Sequence, residues 1–124
     1  MRWLRSFWLL CAVAWAQPAP SLPEGMWSVS ETFGSIVQGH WHYRSGSQLL
    51  QARWQNGTQA VLRLDAWDGQ RIQISRLDAS GPTTGLRAVY SGVRQGSLIQ
   101  GQVHWYWPGG HRQGKWTVQL PSEA

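Results

Sequence analysis

Residues 48–77 read QLLQARWQNGTQAVLRLDAWDGQRIQISRL, and this stretch decides the fold class. Apolar side chains recur at every second position: Leu50, Ala52 and Trp54; then Ala60, Leu62, Leu64 and Ala66; then Ile72 and Ile74. The intervening positions carry Gln51, Arg53, Arg63, Asp65, Arg71 and Gln73. A period of two with one wet and one dry face is the pattern of antiparallel strands. Asn56-Gly57 and Asp68-Gly69 break the run at its two joints. Both are two-residue hairpin signals, which require positive φ at both central positions.

From Gly25 onward the same grammar holds on both sides of this stretch. Turn signals recur every eight to twelve residues, with softer ones at Ser45-Gly46-Ser47 and Gln95-Gly96. Eight strands are predicted, over 26–32, 36–44, 48–55, 58–66, 70–77, 85–91, 97–107 and 114–120. No stretch shows helical periodicity with caps. The one long connection is the loop 78–84 between strands five and six. Hairpins in series form an all-β, antiparallel, eight-stranded up-and-down meander, and eight strands suffice to close a small barrel. A two-sheet β-sandwich is the alternative. The polar face is too wet to meet lipid, which excludes an outer-membrane barrel.

Residues 34–43, GSIVQGHWHY, and 96–107, GSLIQGQVHWYW, share a phrase. The copies fall in strands two and seven, five strands apart, and so run in opposite directions. A tandem duplication of a four-strand half would place them four apart. We read one structural problem solved twice: Gly39 and Gly101 permit a bend or bulge and leave room for a ring, with Trp41 and Trp105 placed to supply it.

The first sixteen residues carry a separate message. Arg2 and Arg5 precede an apolar run from Phe7 to Trp15, and Ala14-Trp15-Ala16 ends it in a small-x-small pattern. These are the parts of a signal peptide, and the run is shorter than the roughly 20 residues that span a bilayer. The expected plan is a signal peptide at 1–16, a linker at 17–24, one barrel domain at 25–120 and a tail at 121–124. The expected location is secreted or periplasmic. Cleavage removes the lone Cys11, so packing alone must hold the domain, without a disulfide. It also removes Arg2 and Arg5 from a formal net charge of +5. The remaining basic residues are spread about one per strand, whereas nucleic-acid binders concentrate them, so nucleic acid is not an expected partner.

Gly25-Met26-Trp27 opens the first strand and Gly114-Lys115-Trp116 the last. Gly-x-Trp at the head of an eight-stranded meander resembles the calycin superfamily, the lipocalins and avidins. That resemblance implies a basic residue from the closing strand packed over the first tryptophan, here Lys115 or Arg112. The chain departs from the lipocalins in its shortness, its lack of their disulfide and the absence of a helix after the strands. It also lacks an avidin-like set of ligand residues. The run from Arg76 to Gly109 is similar to small exported bacterial β-modules of unassigned function, which implies no activity.

Catalytic chemistry is thinly supplied. The chain has six carboxylates, Glu24, Glu31, Asp65, Asp68, Asp78 and Glu123. Asp68 serves a turn, and Asp78 stands two residues from Arg76, the spacing of an ion pair or loop brace. No nucleophile elbow, zinc-protease helix or phosphate loop is present. His40 and His42 form a His-x-His pair on one strand face, but His104 lies on strand seven, not a neighbour of theirs, and His111 in the loop that follows it. We read solvated histidines and expect neither a metal nor a cofactor.

The aromatic cluster is the main signal, since ten of 124 residues are tryptophan. Trp41 and Tyr43 share a face of strand two, and Trp105 and Trp107 a face of strand seven. With His104, Tyr106 and Arg44 beside them, these are the candidate ligand-binding residues. Apolar rings with a few polar groups suit a small molecule, a glycan or a protein partner. The expected function is a non-enzymatic exported binding domain. The alternatives are a small hydrolase using Asp78 or Asp65 with His104, and a structural module whose rings simply fill the barrel.

Overall fold

The computed structural model describes residues 21–32, 34–78 and 84–122, so residues 1–16 lie outside it. Eight strands follow in chain order: β1 (Gly25–Thr32), β2 (Ile36–Tyr43), β3 (Leu49–Trp54), β4 (Gln59–Trp67), β5 (Arg71–Leu77), β6 (Arg87–Gln95), β7 (Leu98–Trp107) and β8 (Gly110–Gln119). Each pairs antiparallel with the next, and β8 returns to β1, where Val118 lies opposite Val29 and Trp116 opposite Glu31. The barrel is closed and leaves no free edge. No helix among the described residues is long and apolar enough to cross a membrane.

The period-two reading places the faces as the sequence implies except at Ala66, which a register shift after Leu64 leaves exposed. Leu50, Ala52, Trp54, Leu62, Ile72 and Ile74 are buried, while Gln51, Arg53, Arg63, Asp65, Arg71 and Gln73 face solvent. Two element boundaries differ from expectation by four residues, and the others by two at most. β6 runs on to Gln95, and β8 begins at Gly110 rather than at 114, because Pro108 and Gly109 suffice to reverse the chain when Gly109 takes φ 95°.

The turns also differ in kind from those the sequence predicts. No residue other than glycine has positive φ among the described residues, so Asn56 and Asp68 do not form the predicted hairpin type. The loops between strands are longer, 55–58 and 68–70, and the side chains close them instead. Asn56 Oδ1 accepts the Thr58 N–H at 3.0 Å, and Asp68 Oδ1 accepts those of Gln70 and Arg71. The bonds from Arg71 and Gln70 hold the Asp68 carboxyl below its ordinary range.

Aromatic rings from different strands fill the middle of the barrel. Trp41 of β2 stacks on Trp116 of β8 with centroids 5.5 Å apart, and Tyr90 of β6 meets both edge-on. Trp27, Trp41, Trp116 and Tyr90 are all essentially inaccessible. Rings of this size leave no lumen at mid-height.

Glycines make the room. A Cβ on Gly39 would meet the Arg53 carbonyl oxygen at 2.6 Å and Trp54 at 2.9 Å. One on Gly101 would strike the Ser91 carbonyl oxygen, and one on Gly114 would press on Trp105 at 2.8 Å. The ring against Gly39 is therefore Trp54, not Trp41, and the glycine that admits Trp105 is Gly114, across the sheet on β8.

Candidate functional site

The two ends of the barrel are not alike. At the end where β1 starts and β2 finishes, residues 21–24 lie across the opening. This segment, read from sequence as linker, is packed: Leu22 is buried in the core, and the Pro23 carbonyl accepts the Trp27 indole N–H at 2.9 Å. Glu24 accepts the Ser45 N–H at 2.9 Å, and Arg94 donates to the Ser21 carbonyl at 3.1 Å. Tyr43 packs on Trp27 with centroids 5.4 Å apart. This end is shut.

The opposite end holds a recess of about 380 Å³. Its walls are Val37, Trp54, Leu86, Trp105 and Trp107, and Asn56, Thr58 and Arg112 stand at its polar edge. Glu31 and Arg76 also line it, although each is almost wholly buried. They form its floor. Both follow from strand parity: Trp27, Val29 and Glu31 share the inward face of β1, as Ile72, Ile74 and Arg76 share that of β5.

A charge bought into such an interior must be paired or hydrogen-bonded. Glu31 Oε2 accepts the Trp54 indole N–H at 2.6 Å, and Oε1 accepts the Tyr90 hydroxyl at 2.9 Å. Trp105 bonds the same carboxylate. Arg76 donates through Nε and Nη2 to the two oxygens of Asp78, at 2.9 and 2.8 Å. It also bonds the Tyr90 oxygen and lies 4.1 Å over the Trp54 ring. A continuous network thus runs from Asp78 through Arg76 and Tyr90 to Glu31. Burial pushes the Glu31 carboxyl above its ordinary range, against the bonds from Trp54 and Tyr90 and the Arg76 charge. Burial and the Glu31 charge push the Tyr90 phenol well above its own. Asp78 braces the long loop as well: its carbonyl accepts the Gly85 N–H at 2.7 Å and its N–H donates to Leu86 at 2.9 Å.

The residues singled out from sequence are dispersed by closure. Trp105 and Trp107 both line the recess, the first buried and the second 42% exposed. Trp41 lies deeper, within the central stack. Tyr43 is at the shut end, as is the exposed Arg44. His104 and Tyr106 alternate with the two tryptophans and so project from the outer face. There they form a row with His111, the rings spaced 6.3 Å apart. His104 is therefore separated from Asp78 by the barrel wall, and Asp65 is engaged outside by Arg63 at 2.6 Å. No group of three or more potential metal ligands occurs among the described residues. The cation implied over Trp27 is not where the resemblance places it. Lys115 lies beside Thr32 at the other end of β1, and Arg112 lines the recess.

Glu31, Trp54, Arg76 and Arg112 were not anticipated as site residues. The available signal was a charged side chain in phase with an apolar alternation, which marks an inward-facing charge near a strand end.

No protein-family model matches the chain, and no curated protein is significantly similar to it. Among solved structures it is similar to EF1p2_mFAP2b bound to DFHBI, with a TM-score of 0.57 and 17% identity over 79% of this chain and 93% of that one. The likeness bears on the fold alone, a small closed β-barrel.

Proposed function

We propose that the protein is an exported, non-enzymatic barrel domain that holds a small, largely aromatic molecule in the recess at its open end. The observation that carries this reading is the contrast between the ends: one is plugged by Leu22, and the other opens into about 380 Å³ walled by three indoles. That volume lies in the range of small-molecule sites, and its mix of apolar walls with a few buried polar groups is theirs too. A concave recess favours a small molecule over a flat protein face. The similar barrel solved bound to DFHBI is consistent with this use of the fold.

Binding is tested by tryptophan fluorescence with 2-naphthol, a neutral aromatic probe. Trp107→Ala is expected to cost about 1–2 kcal/mol of affinity, the scale of a truncated aromatic anchor, with little change in melting temperature. Trp105→Ala, two residues deeper, should lose about 3–5 kcal/mol of stability as a core truncation. Equal destabilisation by the two variants would mean that β7 is core to its end and would remove the site.

Export rests on residues 1–16. N-terminal sequencing of the exported protein is expected to begin at Gln17, leaving the plug at 21–24 intact; a start at Met1 would overturn it.

A further inference from the structure

The floor of the recess carries a charge that the protein only partly answers. The guanidinium acting on Glu31 is that of Arg76, and Asp78 already engages it through two bonds. Two carboxylates thus share one buried cation. The other partners of Glu31 are Trp54, Tyr90 and Trp105, whose side chains act as donors. Among the described residues three donors surround this carboxyl and favour its ionised form, against the burial that raises it. A carboxylate offers about four lone-pair directions, so some acceptor capacity is left on a group that lines the recess. Arg112, the other charged side chain in the lining, stands exposed at the edge, where solvent and salt screen it.

We propose, on the footing of the aromatic-recess reading, that the occupant is a planar, delocalised organic cation, such as an aryl amidine or a protonated heteroaromatic amine, whose N–H group docks on Glu31. Its ring lies against the indoles of Trp54, Trp105 and Trp107, whose faces attract cations. Delocalised cations are more weakly hydrated than a compact ammonium and lose less on entering an apolar mouth. An anion would meet the Glu31 charge in a region of low dielectric, where repulsion is least screened, while the Arg76 charge on the same floor is already engaged by both oxygens of Asp78.

The test compares benzamidine, benzamide and benzoate, which share a ring and differ in charge, by tryptophan fluorescence with 2-naphthol as the neutral reference. Benzamidine should bind at least about tenfold more tightly than benzamide, the scale of one charge-assisted hydrogen bond, and benzoate should bind most weakly. Glu31→Gln should abolish that order, read as the ratio of benzamidine to benzamide affinity within the variant. Should this variant not fold, a pH series on the wild-type protein decides. Benzamidine affinity should fall as Glu31 is protonated, in the setting of Arg76, Asp78, Tyr90 and Arg112, while 2-naphthol affinity holds. If 2-naphthol binds but benzamide or benzoate matches benzamidine, or the benzamidine preference survives in Glu31→Gln or is independent of pH, the cation proposal falls and the aromatic site stands. If 2-naphthol and all three benzene derivatives fail to bind, both readings fall.

Discussion

Glu31 is the residue whose surroundings have the clearest thermodynamic consequence. Its neighbours on the inward face of β1 are Trp27 and Val29, and the carboxyl is raised above its ordinary range chiefly by burial. Below about pH 4.3, the value in an unfolded chain, both folded and unfolded states hold the proton. As pH rises past that point the unfolded chain releases its proton first, so the folded state loses ground until Glu31 ionises there too. Stability should therefore step downward with rising pH over this window, and Glu31→Gln should lack the step. Urea unfolding of both proteins across the window measures it; identical pH profiles would show that Glu31 is not penalised by burial. The direction also separates binding from folding. Acidification should weaken benzamidine while Glu31 itself makes the barrel more stable, so loss of ligand there is not loss of structure.

At the scale of elements, the repeated phrase marks two strands with the same local construction. Gly34 and Gly96 take positive φ in the turns before β2 and β7, at 95° and 63°. Gly39 and Gly101 are the fourth residue of each strand. The two strands run in opposite directions, as the count of hairpins required. At Gly101, Ser91 and Gly92 of β6 approach so closely that no side chain fits. Gly101→Ala should accordingly cost about 1–3 kcal/mol through overpacking, although alanine in place of glycine relieves backbone entropy elsewhere. Chemical denaturation reads the sign, and a neutral or stabilising result would mean that β6 and β7 separate without penalty. The presence of a constriction was legible from glycine inside an alternating strand. The identity of what occupies it was not: Trp54 reaches Gly39 from β3, and Trp105 reaches Gly114 of β8 from β7, across pairings that sequence spacing does not specify.

For the whole molecule, closure and plugging create the difference between the two ends. Leu22 precedes the first strand yet belongs to the core, so Leu22→Ala should cost about 2–3 kcal/mol as a buried truncation. It should leave 2-naphthol affinity intact, because the recess is at the other end; a parallel loss of binding would mean the two ends are coupled. The all-β class, the strand count, the inward and outward faces and the antiparallel meander were all readable from the chain, because each depends on side-chain alternation and on turn residues a few positions apart. The candidate site was readable only in part. Trp105 and Trp107 stood out as aromatics at a strand end, but Tyr43 and Arg44 looked equally placed and lie at the shut end, because strand direction assigns ends only once the order of hairpins is applied around a closed sheet. Glu31 from β1, Trp54 from β3, Arg76 from β5 and Tyr90 from β6 are distant along the chain. Alternation decides that each points inward, but only the closed barrel, with its fixed register and circumference, decides that they meet.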